Sequence, residues 1–293
     1  MRTPAKWIVG IDVRRRSDGA VAFAAWLHAQ MRDVLIGVHV AAREMFTAMD
    51  QLAGPVLSDV RLRVELERSL VEAGLGDAFA RVEVIEALDP VGPLELRCGE
   101  EAATGLIIGR VAGQSGDETV RLGAVARRLL RGLVAPIWVV PPDLTQAGIG
   151  GGTVLVAVTP EEDSVGAVRM AWRLAAALGR TVMFVRVVNE VVEHSSLFPP
   201  GDALREQETN LLRDAEAHTR GWLMDLEVEG PLDVRRGGTL EQILAAVRRH
   251  EAAFVVCGSR KLGLLGRLFS GSLSSELAAH SPVPVLVVPP DAK

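Results

Sequence analysis

Cysteine is scarce in this chain. Two thiols, Cys98 and Cys257, in 293 residues cannot build a disulfide framework, so a reducing compartment, the cytoplasm, is the expected setting. Long hydrophobic runs are missing as well. Stretches such as Ile137-Trp138-Val139-Val140 fall far short of the roughly 20 apolar residues a membrane helix requires. The amino-terminal residues pass from two basic side chains into a short strand-like run, without the apolar core of a signal peptide. No sign of charge prevails: 32 basic and 37 acidic residues are mixed along the chain, for a net charge of -5. A nucleic-acid binder concentrates positive charge on one face, so that class is disfavoured. The six histidines (His28, His39, His194, His218, His250 and His280) are scattered without metal-ligand spacing. The sequence contains no Walker A loop, no H-E-x-x-H, no G-x-S-x-G and no recognisable nucleophile–base pair.

Apolar material is plentiful. At 48% of residues it suffices for two hydrophobic cores, and the length suits two domains of ordinary size. The same segments also occur twice in the same order. Residues 136–143 (PIWVVPPD) return 148 residues later as 284–291 (PVLVVPPD). At nearly that spacing, Ile8-Val9-Gly10-Ile11 is answered by Leu155-Val156-Ala157-Val158, and Val38-His39-Val40 by Val185-Arg186-Val187. Leu106-Ile107-Ile108-Gly109 is answered by Phe254-Val255-Val256-Cys257-Gly258. Residues 144–152 carry four glycines and no core pattern, which reads as a linker. The expected division is a first domain over 1–143, the linker, and a second domain over 153–293.

Within the second copy, β-branched runs at 153–159, 181–188, 233–236, 253–258 and 283–288 predict strands. Between them, helices are predicted over 165–178, about 203–226, from the Thr239-Leu240-Glu241-Gln242 capping box onward, and 272–280. The first copy reads alike, with 62–73 as its long second helix. Alternating strands and helices predict an α/β fold: two tandem open five-stranded parallel sheets with helices on both faces, Rossmann-like, with a ligand at the carboxyl ends of the strands. Trp26 and Trp172 fall on the first helix of each copy as core. His39 reads as a satisfied strand residue, and Cys257 as a small buried hydrophobe.

One segment carries chemistry. Val256-Cys257-Gly258-Ser259-Arg260-Lys261 is followed nine residues later by Gly271-Ser272-Leu273. A glycine after a buried strand allows close backbone approach, and a glycine–serine pair opening a helix offers free N–H groups to an anion. Arg260, Lys261 and Arg267 add positive charge between them.

With these residues the chain resembles a tandem universal stress protein. Nucleotide-binding members of that family carry G-x2-G-x9-G-[ST] after the fourth strand, which Gly258, Gly271 and Ser272 match, with Lys261 in place of the second glycine. The likeness extends over both copies, to strand one (8–12), strand two (38–40) and the closing P-x-x-V-V. It implies that an aspartate ending strand one contacts the nucleoside and that a valine of strand two lines the adenine pocket. Those positions are Asp12 and Val40 in the first copy, and Thr159 and Val187 in the second. In the first copy Gly109 is followed by Ala112 at the second glycine, Gly123 arrives one residue late, and Ala124 replaces the hydroxyl residue. Asp117 and Glu118 in that loop repel a polyphosphate. The candidate nucleotide site is therefore Gly258, Gly271, Ser272, Leu273, Cys257, Lys261, Thr159 and Val187, with Asp12, Val40 and Gly109 as its first-copy remnant.

The resemblance implies a stress-response regulator that binds an adenine nucleotide, ATP with Mg2+ first, mainly in the second copy, and is at most a slow ATPase. It also implies an unidentified protein partner, an intramolecular pseudo-dimer through 137–140 and 285–288, and a homodimer as a further expectation. Rival readings stay open. Gly258 and Gly271 can be turn requirements, Ser272 and Asp12 helix caps, and Lys261 either strains the loop or reaches a phosphate. A nucleotide-free interaction scaffold uses the same fold, while a nucleotide-dependent ligase or transferase lacks visible substrate loops. Residues 189–201, with Pro199-Pro200-Gly201, read as a flap over the second site.

Overall fold

The computed structural model describes residues 3–12, 17–41, 58–110, 122–189, 202–259 and 273–290. It forms two compact units: Met1–Ile149 with Ala278–Val287, and Gly150–Leu277 with Val288–Lys293.

In the first unit, β1 (Lys6–Gly10), β2 (Val34–Ala41), β3 (Phe79–Glu86), β4 (Gly105–Gly109) and β5 (Ile137–Val140) run parallel in the order β3-β2-β1-β4-β5. Strands β1, β4 and β5 are buried on both faces because the helical crossovers a parallel sheet requires cover both, whereas β3 carries Arg81, Glu83 and Glu86. These helices are α1 (Asp18–Met31), α2 (Ser58–Glu72), α3 (Val91–Glu100) and α4 (Ala124–Gly132). Beside β5 lies β10 (Val285–Val288), antiparallel, with Val285 opposite Val139 and Val287 opposite Ile137. Helix α1 buries Phe23, Trp26 and Leu27 and stops where Arg32 turns left-handed at φ 58°. Phe23 meets Trp138 edge-on at 4.8 Å, and Trp7 lies 6.4 Å from Trp138. The Trp7 indole N–H donates to the fully buried Asp33 carboxylate at 3.0 Å, which also accepts the Ala5 N–H, so the core carries no stranded indole there.

In the second unit, β6 (Val154–Ala157), β7 (Val182–Val188), β8 (Leu232–Arg236) and β9 (Phe254–Gly258) run parallel in the order β9-β6-β7-β8. Helices α5 (Glu162–Leu178), α6 (Asp202–Asp225), α7 (Thr239–Arg249) and α8 (Leu273–His280, up to Leu277 in this unit) alternate with them. Helix α5 packs Ala167, Val168, Ala171 and Ala175 inward and ends at Gly179, left-handed at φ 62°. The α/β class expected from the alternating pattern is the one observed.

Two local expectations are corrected. Trp172 is half-buried, whereas Trp26 is core, because the inward stripe of α5 runs through the small residues beside it. Thr239 is the first residue of α7 and caps nothing: Gly238 holds the cap position, and the Thr239 hydroxyl donates to Asn189 Oδ1 at 2.6 Å. The registers of the fourth strands agree with the glycine pairing of the two repeats. Trp7 faces Gly105 where Val154 faces Phe254, which sets Gly109 against Gly258, Arg110 against Ser259 and Ile108 against Cys257.

Candidate functional site

The strand order reverses between β6 and β9, and a crevice opens at the carboxyl ends of such strands. Here it is a cleft of about 480 Å³, within the range of roughly 300–1,000 Å³ typical of small-molecule sites. The ends of β6, β7 and β9 supply Thr159, Val187, Cys257 and Gly258. The starts of three helices close it: Asp163 and Ser164 of α5, Thr239 of α7, and Leu273 and Ser274 of α8. Positive helix-dipole ends therefore converge on one space. Among the described charged residues on its wall, Arg186 is basic, and Glu161 and Asp163 are acidic.

Thr159 is held by its own backbone. Its N–H donates to the buried Ser164 hydroxyl at 3.3 Å, anchoring the end of β6 to the first turn of α5. The first unit repeats the device, with the Asp12 N–H donating to Ser17 Oγ at 2.8 Å. Ser17 occupies the position preceding α1, so Asp12 is not that helix's cap. A serine five residues after each strand-end residue was the sequence signal for this tie.

Gly258 is the last residue of β9, and its need for glycine comes from packing. A Cβ there would fall on the Asp163 carbonyl oxygen, so the missing side chain lets the start of α5 lie against the strand end. Cys257 beside it is a buried thiol, pushed up to about 12 by burial, and behaves as a hydrophobe.

The structure thus brings Thr159, Val187, Cys257, Gly258 and Leu273 onto one cleft. Lys261, Gly271 and Ser272 lie outside the described residues, as do Arg260, Arg267, Ala112, Asp117, Glu118 and residues 190–201. Sequence reasoning missed Glu161, Asp163, Ser164, Arg186, Asn189, Thr239 and Ser274 as wall residues.

In the first unit, Asp12 follows β1, Val40 pairs with Ile85 in β3, and Gly109 pairs with Val140 in β5. His39 is buried, and its Nδ1 donates to the Ile11 carbonyl at 2.8 Å, a core position. Arg110, also buried, sends one guanidinium nitrogen to the carbonyls of Ala279 at 2.6 Å, Ser281 at 2.9 Å and Ala278 at 3.4 Å. Burial pushes its ionisation down, and nearby Asp143 opposes that.

A model of the universal stress protein family matches residues 152–289. A universal stress protein of Mycobacterium bovis is 28% identical over 183 residues, covering 58% of this chain and 59% of the relative. The second repeat belongs to the universal stress protein family. The chain spans about six tenths of the length of the curated mycobacterial relatives it matches. Solved structures share the fold across both repeats. A universal stress protein from Archaeoglobus fulgidus superposes with a TM-score of 0.64 at 18% identity, covering 97% of this chain and 98% of that one. A functionally unknown protein from Pseudomonas aeruginosa gives 0.66 at 16%, covering 99% and 94%. Among the described residues, no helix is long and apolar enough to cross a membrane. No group of three or more His, Cys, Asp or Glu could hold a metal ion among those residues.

Proposed function

We propose that the second domain binds an adenine nucleotide, ATP with Mg2+ first, and that the bound state regulates a cytoplasmic partner during stress. The observation that carries this reading is the cleft at the strand-order reversal, where three helix starts meet the ends of β6, β7 and β9. Val187 supplies an apolar wall for the base, and Gly258 with Leu273 and Ser274 frames the side toward which phosphates are drawn. Thr159 replaces a carboxylate with a hydroxyl. Losing a charge-assisted hydrogen bond costs about 1.5–3 kcal/mol, so moderate affinity is the expectation. Mg2+ would enter with the nucleotide and offset its charge.

Calorimetric and thermal-shift titrations with Mg-ATP, ADP and AMP, run beside Gly271→Asp, test the proposal. Saturable binding that the variant loses supports it; no binding of any adenine nucleotide at millimolar concentration overturns it. A nucleotide-free scaffold is the second reading, favoured by the fact that packing against Asp163 alone accounts for Gly258. On that reading Gly271→Asp leaves partner binding unchanged.

A further inference from the structure

We infer that Asn189, held in one orientation by Thr239, reads the base in this cleft and admits guanine as well as adenine nucleotides. The inference rests on the nucleotide reading above and concerns which base that site accepts.

Asn189 directly follows β7, and Thr239 opens α7; both line the cleft. Two bonds tie these segments together. The Gly237 N–H donates to the Val188 carbonyl at 3.1 Å, and the Thr239 hydroxyl donates to Asn189 Oδ1 at 2.6 Å. A carboxamide has one acceptor oxygen and an NH2 with two donors. Here the bond from the neighbouring hydroxyl turns the oxygen toward Thr239, which leaves the NH2, with both its donors, as the group offered to a ligand. Asn189 lies two positions beyond Val187, the apolar wall proposed for the base, and both line the cleft.

A donor at this place has consequences for base choice. On its outer edge adenine shows the N7 acceptor beside the N6 amino donor, whereas guanine shows two acceptors, N7 and O6. An NH2 group finds a partner on either base and has nothing with which to reward the adenine amino group. Selection of adenine needs an acceptor there, and the Asn189 oxygen is turned toward Thr239 instead.

Asn189→Asp isolates this feature. The carboxylate keeps an oxygen for the Thr239 hydroxyl and turns the remaining group from donor to acceptor, which suits the adenine amino group and repels guanine O6. Thr239→Val removes the hydroxyl and frees the amide to turn its oxygen outward. Affinities of the full chain for Mg-ATP and Mg-GTP are measured by calorimetry, with circular dichroism to check folding. In the wild type the two affinities fall within about tenfold of each other; Asn189→Asp shifts their ratio about tenfold toward ATP, the scale of one hydrogen bond exchanged for a mismatch. Thr239→Val moves it the same way by a smaller factor and carries the test should Asn189→Asp fail to fold. A wild-type preference for ATP of a hundredfold, or a ratio unmoved in the variants, overturns the inference while leaving nucleotide binding intact. Failure of both nucleotides to bind the wild type overturns the site reading and this inference with it.

Discussion

After the glycine that closes β4, the first unit places Arg110; after the glycine that closes β9, the second places Ser259. Both backbones do the same thing, since the Arg110 N–H donates to the Val140 carbonyl at 2.7 Å and the Ser259 N–H to the Val288 carbonyl at 3.0 Å. The side chains part company. Arg110 turns its guanidinium to the carbonyls of Ala278, Ala279 and Ser281, the groups at the end of α8 that a helix cannot satisfy internally. Serine makes no such demand on its surroundings. A similar contrast holds at the end of the first strand, where Asp12 and Thr159 share one backbone tie to a serine yet differ in the group they present. The duplication has kept one backbone frame twice. It has let the first copy turn a loop position into packing.

The sharpest break of this comparison is Arg110→Ala. It leaves buried carbonyls without their charged donor, so the first unit should lose about 3 kcal/mol, read as a lower denaturation midpoint, while nucleotide affinity changes little. An equal or larger loss of binding would show that the first repeat's loop serves the ligand after all.

Gly258→Ala comes next. The added methyl would sit on the Asp163 carbonyl oxygen, so α5 must move, at a cost of about 2 kcal/mol. The control is Gly10→Ala, where the nearest atom is Ile108 Cγ2 at 3.5 Å and the other repeat already carries Ala157. Its effect should stay within about 0.5 kcal/mol. A neutral Gly258→Ala would return that glycine to a ligand-facing role.

These two glycines also show what the sequence could reveal. Strand and helix positions followed from periodicity, and the α/β class from their alternation, because burial on both sheet faces forces continuous apolar runs. The register between β4 and β9 was legible from Gly109 and Gly258 and not from the apolar residues, since Leu106 and Val255 are interchangeable as core. Thr239 carried a capping pattern, but the hydroxyl found Asn189, a residue 50 positions away, and a local rule cannot see that competition. In the site, Thr159, Val187, Gly258 and Leu273 were legible from family spacing. Ser164 and Asn189 required knowing which helix start meets which strand end.

A smaller difference separates the third strands. Glu83 of β3 pairs with Arg81 and Arg97, while Asp233 at the matching place in β8 accepts from His250 Nε2 at 2.7 Å and Arg235 Nε at 2.9 Å. Burial pushes the Asp233 carboxyl up, but the bonds from His250 and Arg235 outweigh it and hold it below the usual carboxylate value. A carboxyl lowered by folding contributes fully above its unfolded value, near 4, and loses that contribution as pH falls through the folded value. Asp233→Asn should therefore cost about 1 kcal/mol at pH 7, and the gap to wild type should close toward pH 3. A gap that persists in acid would assign the loss to packing.

The smallest effect belongs to the cysteine on the cleft wall. Cys257 stands where the first repeat has Ile108, and burial pushes its thiol up to about 12, so almost none is thiolate near neutrality. Iodoacetamide at pH 8 should leave it unmodified in the folded protein and label it in denaturant, and Cys257→Val should change stability by less than about 1 kcal/mol. Cys98, also raised by burial and by Glu95, should behave alike, so the two repeats are indistinguishable by thiol labelling. Fast native labelling confined to Cys257 would break that symmetry. It would mean that the second cleft opens to solvent at the base of β9, and protection by Mg-ATP would then report occupancy of the cleft directly.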